Sequence, residues 1–470
     1  MSSPVTLLIL GAGGDLTKRL LLPGLGSLLA HHDHDVTVLG AGLDDGVAEH
    51  WQDLVRDSLE RAADERRVDD RRGDAEAADA ETTDADRTRQ LVESTRYIAA
   101  DATDPAALRD LLAACTGVPV IYFALPPAVT AKVCRALQDI DLPRGTRLAL
   151  EKPFGSDEES AAELNAVIAT LVPERQVFRI DHFLGKSTVL NILGLRLANR
   201  ILEPVWNAGS VERVDIVFDE TLGLEGRAGY YDSSGALVDM IQSHLLEILA
   251  IIAMELPPRV DEVELRDNIA QVLRNTTLWD DDVTATARRA RYTAGEIGDR
   301  TLPSYVDEPG VDPSRGTETL AELTVAVRTR RWDGVPFLLR SGKALGAKRS
   351  QARLFLRPVP AVPGLDGEPQ QQVIVLDLMT GDVELQLTMN GAGDPFHLEQ
   401  SILVAHQGAG DLLPYGQMLR GILDGDPLLS IRGDVAEQCW RIVDPVIAAW
   451  RRGEGDLADY PAGSTGPSDW

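Results

Sequence analysis

Apolar stretches that end in glycine or proline alternate with helical stretches along the first third of the chain. "VTLLILGAGG" is a largely apolar run that ends in glycines, typical of a strand buried on both faces, and "KRLLLPGLGSLLAH" follows it with helical spacing. Further buried strands are predicted at "DVTVLGAG", "TRYIAAD", "VPVIYFALPP" and "TRLALEKPFG", with helices near 104–115 and 128–138. This β-α-β alternation predicts a doubly wound parallel sheet of the Rossmann type, an α/β fold.

After about residue 178 the pattern changes to strands that alternate apolar and polar positions. Helices are predicted at 186–202, 234–255 and 434–451. The alternating runs are "VERVDIVFDE", "ELTVAVRTRRW", "VPFLLRSG", "ARLFLRPV", "QVIVLDLM" and "DVELQLTMN". Such runs without intervening helices predict a large antiparallel sheet with one face covered by helices, an α+β arrangement. We therefore expect two domains, residues 1–177 and 178–470, with a ligand cleft at their seam.

Charge and composition argue against several classes of partner and site. The formal net charge of −28 argues against nucleic acid or an anionic membrane as a partner. No apolar run approaches the roughly 20 residues that span a bilayer. The 3 cysteines have neither metal-ligand spacing nor the number needed for a disulfide framework, so we predict no metal site and a cytoplasmic location. The charged stretch 61–90 is expected to be an exposed excursion without chemistry.

The glycine-rich turn after the first strand is the candidate dinucleotide site. Gly11, Gly13 and Gly14 lie where a strand gives way to a helix. Glycines there allow a pyrophosphate to approach the helix N-terminus. The third glycine of the usual G-x-G-x-x-G pattern is Leu16, so a turn that serves only tight packing is the alternative.

The end of the second strand bears on the choice between NAD and NADP. Asp44 and Asp45 stand there without a cation. Two carboxylates would repel the 2′-phosphate of NADP and favour the free 2′-hydroxyl of NAD. The alternative is that both acids cap the next helix.

Polar residues interrupt four otherwise apolar stretches. "RIDHFLGK" holds Asp181, His182 and Lys186, and "ALEKPFG" places Lys152 at the end of a parallel strand. Asp239 and His244 lie on one predicted helix, where α-helical spacing puts them about 140° apart. "LLRSGKALGAKRS" carries Lys343 and Lys348. Taken singly, these side chains also fit structural roles: His244 as a hydrogen-bonded core histidine, Asp181 as a helix N-cap and Lys186 as solvated surface.

Lysine is rare in this chain, which singles out the lysines that remain. The 46 basic residues include only Lys18, Lys132, Lys152, Lys186, Lys343 and Lys348. The simplest explanation for the predominance of arginine at the other basic positions is a coding bias. Under such a bias, a retained lysine suggests a position that needs a compact, flexible ammonium group.

Together these stretches resemble the glucose-6-phosphate dehydrogenase family. The resemblance runs nearly end to end and rests on "GAGGDLTKRLLLPGL", "YFALPP", "EKPFG", "RIDHFLGK", "FDETLGLEGRAGYYDSSGALVDMIQSHLLEILAIIAMELPP", "RRWDGVPFLLRSGKAL" and "CWRIVDPVIAAW". It implies an N-terminal NAD(P)-binding domain, a larger β+α domain for substrate binding and oligomerisation, and a homodimer or homotetramer.

The resemblance also implies the reaction and the roles of the residues. Hydride would pass from C1 of D-glucose 6-phosphate to NAD(P)⁺, giving 6-phosphoglucono-1,5-lactone at the entry of the pentose phosphate pathway. His244 matches the general base, and Asp181 matches the aspartate that orients it. Lys152 would lie between sugar and nicotinamide. The remaining substrate-binding residues are His182, Lys186, Lys343 and Lys348 for the phosphate and Glu220 and Asp239 for the hydroxyls. The cofactor-binding residues would be Gly11, Gly13, Gly14, Asp15, Leu16, Asp44, Pro126 and Lys152.

The sequence departs from the family pattern at four positions. Phe183 stands where a tyrosine is common, Leu20 where a basic residue is frequent, and Lys348 where many relatives carry arginine. Leu43 occupies the place of the arginine that meets the 2′-phosphate in NADP-using members, so we hypothesise that NAD is used well, alone or beside NADP. Alternative functions are a dehydrogenase of another hexose or amino-sugar phosphate, and a catalytically silent regulatory homologue.

Overall fold

The computed structural model describes residues 4–69, 87–408, 410–468 and 470, and these form two compact units. The first unit comprises Met1–Ser187, Arg259–Arg266 and Gly410–Glu437. The second comprises Thr188–Pro258, Asp267–Ala409 and Gln438–Trp470. Each unit therefore collects segments that lie far apart in the sequence.

The first unit is built on a six-stranded parallel sheet. Its strands are β1 Val5–Leu10, β2 Val36–Gly42, β3 Arg96–Ala99, β4 Val118–Phe123, β5 Arg147–Glu151 and β6 Val177–Ile180. They lie in the order β3-β2-β1-β4-β5-β6. β1 is apolar and buried at nearly every position, as a central strand covered on both faces requires. The strand order reverses between β1 and β4, and the carboxyl ends of strands at such a point bound a ligand crevice.

The second unit is built on a ten-stranded mixed sheet. Its strands are β7 Val211–Asp219, β8 Thr276–Leu278, β9 Ala287–Thr293, β12 Leu320–Val327, β13 Pro336–Gly342, β14 Arg349–Leu356, β15 Val373–Asp377, β16 Val383–Asn390, β17 Leu398–Ala405 and β18 Leu457–Pro461. The order is β17-β16-β15-β14-β7-β13-β12-β9-β18, with β8 beside β12. β10 Gly295–Ile297 and β11 Arg300–Leu302 form a separate hairpin.

Thirteen helices are described. In chain order they are α1 Leu22–His31, α2 Asp45–Asp69, α3 87–94, α4 Pro105–Ala113, α5 Pro127–Leu137, α6 Glu158–Leu171, α7 Ser187–Ala198, α8 Ala228–Ala236, α9 Leu246–Ala253, α10 Glu264–Arg274, α11 Val283–Thr286, α12 Pro414–Asp424 and α13 Gly433–Arg451. Two π-helical segments, Thr17–Leu21 and Leu237–Leu245, lead into α1 and α9. The second of these packs on the centre of the second unit's sheet, against β7, β12 and β13.

The predicted fold class is confirmed, with differences in detail. β6 was not predicted, because its four residues run directly into the polar "DHFLGK" stretch. The second sheet is mixed rather than wholly antiparallel, since β13 pairs with β7 and β18 with β9 in parallel. Of the charged stretch 61–90, residues 61–69 continue α2 and 87–90 belong to α3, while 70–86 lie outside the described residues.

One helical stretch is long and apolar enough to cross a membrane by length and hydropathy alone. It is Tyr231–Ala253, which contains an 18-residue window with a mean hydropathy of 1.7, and 89% of that window is buried inside the protein. This is the environment of a core helix, so the stretch gives no indication of a membrane span. Sequence inspection had found no such run, because Asp239, His244 and Glu247 interrupt it.

Candidate active site

The glycine turn combines close packing at Gly11 with open space beside Gly14. Gly11 has φ +83°, and a Cβ there would lie 2.2 Å from the carbonyl oxygen of Ala124, so only glycine fits. The helix that follows begins at Asp15 and Leu16, which directs its free N–H groups toward the turn. Among the described residues, only the Gly11 carbonyl oxygen, at 3.2 Å, comes within 4 Å of a Cβ built on Gly14. The turn can therefore accept a diphosphate at the switch point of the sheet.

The end of β2 presents an apolar side chain followed by a helix cap. Leu43 is 78% exposed. The Asp44 carboxylate accepts the backbone N–H of Gly46 at 2.9 Å, and α2 starts at Asp45. Asp44 thus makes the capping contact that was the alternative to ribose binding, and its remaining carboxylate oxygen still places negative charge at this edge.

Two further cofactor candidates follow strands of the same sheet. Pro126 is exposed at the N-cap of α5, where its carbonyl oxygen accepts the N–H groups of Val129 and Thr130. Lys152 directly follows β5, is half-buried, and precedes Pro153 through a cis peptide bond. Both lie at carboxyl ends of parallel strands, where open α/β sheets bind ligands.

The "RIDHFLGK" stretch forms a tight turn after β6. Asp181 is fully buried, and its carboxylate accepts the N–H of Phe183 at 2.9 Å. α7 begins only at Ser187, so the Asp181 side chain stabilises this turn rather than the start of that helix. Lys186 Nζ lies 3.8 Å from the centre of the Phe183 ring. The apolar phenyl group at this position thus supports the ammonium group of Lys186.

One acidic residue of this region was missed by sequence reasoning. Glu151, the last residue of β5, accepts a hydrogen bond from Tyr122. Burial raises the pKa of Glu151 to about 7, against the lowering effects of the Tyr122 and Tyr415 hydroxyls and of Lys152. Its position beside Lys152 in "EKPFG" was the available signal, but the partner tyrosines lie far away in the sequence.

In the second unit, Glu220 and Lys343 form an ion pair. Their carboxylate oxygen and Nζ are 2.5 Å apart. The parallel register of β7 and β13 pairs Asp219 with Gly342, so the residues that follow both strands emerge side by side. Lys343 is buried, and its Nζ lies 5.0 Å from the centre of the Tyr231 ring. The structure thus joins a predicted hydroxyl acceptor to a predicted phosphate ligand.

Asp239 and His244 lie on the π-helical segment Leu237–Leu245. A π-helix bonds residue i to residue i+5, which turns residues five apart toward the same side. The separation of about 140° expected for an α-helix therefore does not apply. His244 is 2% exposed, and Asp239 is half-buried.

A second missed acid fixes the start of this segment. The buried Glu318 carboxylate accepts the backbone N–H of Leu237 at 3.0 Å. Gly235 has φ +67°, and a Cβ there would lie 2.3 Å from a Glu318 carboxylate oxygen. Burial raises the pKa of Glu318 to about 7. No sequence pattern links Glu318 to the His244 helix, because the contact arises from the fold.

The predicted residues thus fall into two sets, one in each unit. In the first unit, Asp181, His182 and Lys186 share one turn, and the glycine turn, Pro126 and Lys152 follow strands of one sheet. In the second unit, Glu220 contacts Lys343, Asp239 and His244 share one helix, and Lys348 is exposed just before β14. The pairing of His244 with Asp181 stays a prediction.

Comparison with known proteins identifies relatives over the whole chain. The family description "Glucose-6-phosphate dehydrogenase, NAD binding domain" matches residues 8–191, and "Glucose-6-phosphate dehydrogenase, C-terminal domain" matches residues 193–470. The chain is 36% identical over 480 residues to "Glucose-6-phosphate 1-dehydrogenase" of Gluconobacter oxydans (strain 621H), covering 99% of this chain and 94% of that protein.

Solved structures of the same description superpose on it. The crystal structure of glucose-6-phosphate 1-dehydrogenase from Mycobacterium avium has a TM-score of 0.84 and 30% identity, covering 100% of this chain and 96% of that chain. A glucose-6-phosphate dehydrogenase "in complex with its substrate glucose-6-phosphate" has a TM-score of 0.84 and 26% identity, with the same coverage.

Proposed function

The chain belongs to the glucose-6-phosphate dehydrogenase family, and from this premise we propose that it oxidises D-glucose 6-phosphate at C1 to 6-phosphoglucono-1,5-lactone. The observation that carries the proposal is the match of both family domains along the chain, joined to a buried histidine on a helix at the centre of the second unit. Bound NAD(P)⁺ supplies the hydride acceptor. The glycine turn supports a diphosphate site, because the helix that begins at Asp15 directs its N-terminus toward the open side of Gly14.

His244 is proposed as the general base. It takes the proton of the C1 hydroxyl as the hydride leaves C1 and the lactone carbonyl forms. Asp181 is proposed to hold the imidazole in the tautomer that accepts this proton and to stabilise the imidazolium. The burial of both side chains supports these roles, since a dry site strengthens the attraction between carboxylate and imidazolium.

Sugar and phosphate are assigned to separate sets of side chains. His182, Lys186 and Lys348 are proposed to bind the phosphate, and Glu220 and Asp239 to accept hydrogen bonds from hydroxyls. Lys343 is proposed to bind the phosphate as well, from the position where it pairs with Glu220. Lys152 is proposed to lie between sugar and nicotinamide.

For the cofactor, we propose that NAD is used well, alone or beside NADP. The matched family description names an NAD binding domain, and the family resemblance implies that NADP is used by some members. The exposed Leu43 and the carboxylates of Asp44 and Asp45 support NAD, because none of them can attract a 2′-phosphate.

A homodimer or homotetramer in the cytoplasm is proposed for the assembled enzyme. β17 is an edge strand of the second unit's sheet, and an exposed apolar edge favours pairing with another copy. The exposed apolar residues on and beside β16 and β17 are Met389, Phe396, Ile402, Leu403 and Val404.

The first experiment measures initial rates of nicotinamide reduction with glucose 6-phosphate, varying NAD and NADP separately. We expect His244→Asn to lower kcat by about 10³-fold, because general-base catalysis contributes on that scale. His50→Asn, on the exposed face of α2, is the matched control and should keep the wild-type rate. Absence of turnover in the wild type at any glucose 6-phosphate concentration would show that the substrate is different.

A further inference from the structure

Glu151 lies in a cluster of groups from four segments of the first unit. Its carboxylate accepts hydrogen bonds from Tyr122 of β4 and, at 3.5 Å, from Tyr415 of α12. Lys152 and Asp181 also act on it electrostatically. Glu151 is therefore a titratable side chain at the carboxyl end of a parallel strand, and the proposed reaction does not use it.

Tyr415 connects Glu151 to the phosphate-binding turn. Its ring stacks on the His182 imidazole with centroids 5.9 Å apart and planes inclined by 16°. Tyr415 is 7% exposed, and a Cβ on Gly24 would lie 2.6 Å from its Cβ, so α1 holds the tyrosine backbone in place. A Cβ on Gly185 would lie 2.4 Å from the carbonyl oxygen of Pro414, so the turn itself rests on the start of α12. The contacts thus run from Glu151 through Tyr415 to His182.

The two phenols and Glu151 differ in where burial places their pKa values. Burial raises the pKa of Tyr122 and of Tyr415 well above the range in which enzymes are assayed, so both phenols remain hydrogen-bond donors. Burial raises the pKa of Glu151 itself to about 7, whereas the two phenols and Lys152 lower it and Asp181 raises it. A negative charge therefore enters the cluster as the pH passes through neutrality.

We propose that Glu151 is a positioning residue that controls the affinity of the His182–Lys186 turn for the phosphate of the substrate. With Glu151 neutral, Glu151 adds no negative charge to the stacked Tyr415–His182 pair and Lys186, which are proposed to meet the incoming phosphate dianion. With Glu151 ionised, the carboxylate that accepts the Tyr415 hydroxyl repels the dianion, and this repulsion is strong in a site of low dielectric constant. The inference rests on the proposed function and adds regulation of the same site by pH.

The test compares KM and kcat for glucose 6-phosphate in the wild type and in Glu151→Gln between pH 6 and pH 8.5. Glutamine keeps the shape and an acceptor oxygen but cannot ionise. We expect KM to agree within about twofold at pH 6, and to be about three- to tenfold lower in Glu151→Gln than in the wild type at pH 8, with kcat little changed. The substrate phosphate titrates in the same way in both experiments, so only the difference between the two profiles reports on Glu151.

Two tyrosine variants test the same cluster without removing the acid. Tyr122→Phe and Tyr415→Phe each delete a hydroxyl that lowers the pKa of Glu151. Each should move the rise in KM to higher pH while the aromatic ring remains. Glu163→Gln, an exposed carboxyl on α6, is the matched control and should follow the wild-type profile.

Binding measured by calorimetry separates failure of this inference from failure of the proposed function. If glucose 6-phosphate neither binds nor turns over in the wild type, the proposed function is wrong. If the wild type is active but Glu151→Gln has the wild-type KM at pH 8, or a higher one, the role of Glu151 is overturned. A change in kcat alone would also overturn it, and the tyrosine variants decide the matter should Glu151→Gln fail to fold.

Discussion

Single residues at strand ends determine what the first unit can bind. Gly11 leaves room for the chain at Ala124, and Leu43 leaves the end of β2 without a cation. Both residues and their place at the end of a strand can be identified from the sequence. Each can therefore be tested by one substitution with a matched control.

Gly11→Ala should weaken cofactor binding and lower stability together. The new Cβ would lie 2.2 Å from the Ala124 carbonyl oxygen on a backbone with φ +83°. We expect the Kd for NADH, measured by fluorescence titration, to rise by about tenfold or more, with a fall in Tm. Gly229→Ala on α8 is the control, since nothing lies within 4 Å of its Cβ and alanine favours a helix. Unchanged NADH affinity in Gly11→Ala would contradict the assignment of the turn.

Leu43→Arg should shift the cofactor preference toward NADP. An arginine fork binds a 2′-phosphate through charge-assisted hydrogen bonds, so the ratio of kcat/KM for NADP to that for NAD should rise by about tenfold. Ile201→Arg adds the same charge at a 75% exposed position of the second unit and should leave the ratio unchanged. An equal shift in both variants would mean that overall charge, not position 43, sets the preference.

At the scale of elements, the helix that carries His244 depends on a residue far along the chain. Glu318 holds the N–H of Leu237 at the start of the π-helical segment, and Gly235 passes directly over its carboxyl group. The π-helical hydrogen bonding then turns Asp239 and His244 to one side. The geometry of this candidate catalytic element is thus set by a carboxyl group 74 residues beyond His244, counted from their numbers 244 and 318.

The protein should become less stable as the pH rises, because of Glu318. Its folded pKa of about 7 exceeds the ordinary value of 4.5, so between these values the folded state keeps a proton that the unfolded state has released. The contribution of Glu318 to the free energy of unfolding is therefore fully present below about pH 4.5. It is lost as the pH rises through 7, and the loss is about 3 kcal/mol for a shift of this size. Glu318→Gln should escape this loss, so its Tm relative to the wild type should rise between pH 5 and pH 8.

The exposed variant Glu296→Gln is the control for this prediction. Its Tm difference from the wild type should stay the same across that pH range. A constant Tm difference for Glu318→Gln as well would mean that Glu318 is ionised in the folded protein throughout the range.

At the scale of the whole molecule, the ten-stranded sheet ends in an exposed strand. β17 has one neighbour, β16, and apolar side chains along both are open to solvent. A net charge of −28 opposes association at long range, so a contact between copies would need apolar surface of this kind. This arrangement supports the proposed homo-oligomer.

Ile402→Lys should convert the oligomer to a smaller species. A charge on an edge strand disfavours pairing with another copy, and light scattering after size exclusion would measure the mass. Val359→Lys, at a 50% exposed position outside β16 and β17, should keep the wild-type mass. An unchanged mass for Ile402→Lys would place the interface on another surface.

The sequence by itself determined the type of each unit and most of the residues with chemistry. Buried parallel strands must be apolar throughout and half-exposed strands must alternate, so β1, β2 and β7 were predictable from periodicity. The glycine turn was predictable because only glycine adopts its backbone there. "RIDHFLGK" and "EKPFG" led to the family, which the comparisons confirmed.

Only the tertiary structure decided which distant residues meet. Glu220 contacts Lys343 through the parallel register of β7 and β13, and Glu151 meets Tyr122 and Tyr415 through packing of β4, β5 and α12. Periodicity reports how exposed a position is, but it carries no information on strand order or register, which depend on packing over the whole unit. The same limit explains why an α-helix was assumed around His244: periodicity shows neither the kink at Gly235 nor the Glu318 carboxylate that accepts the Leu237 N–H.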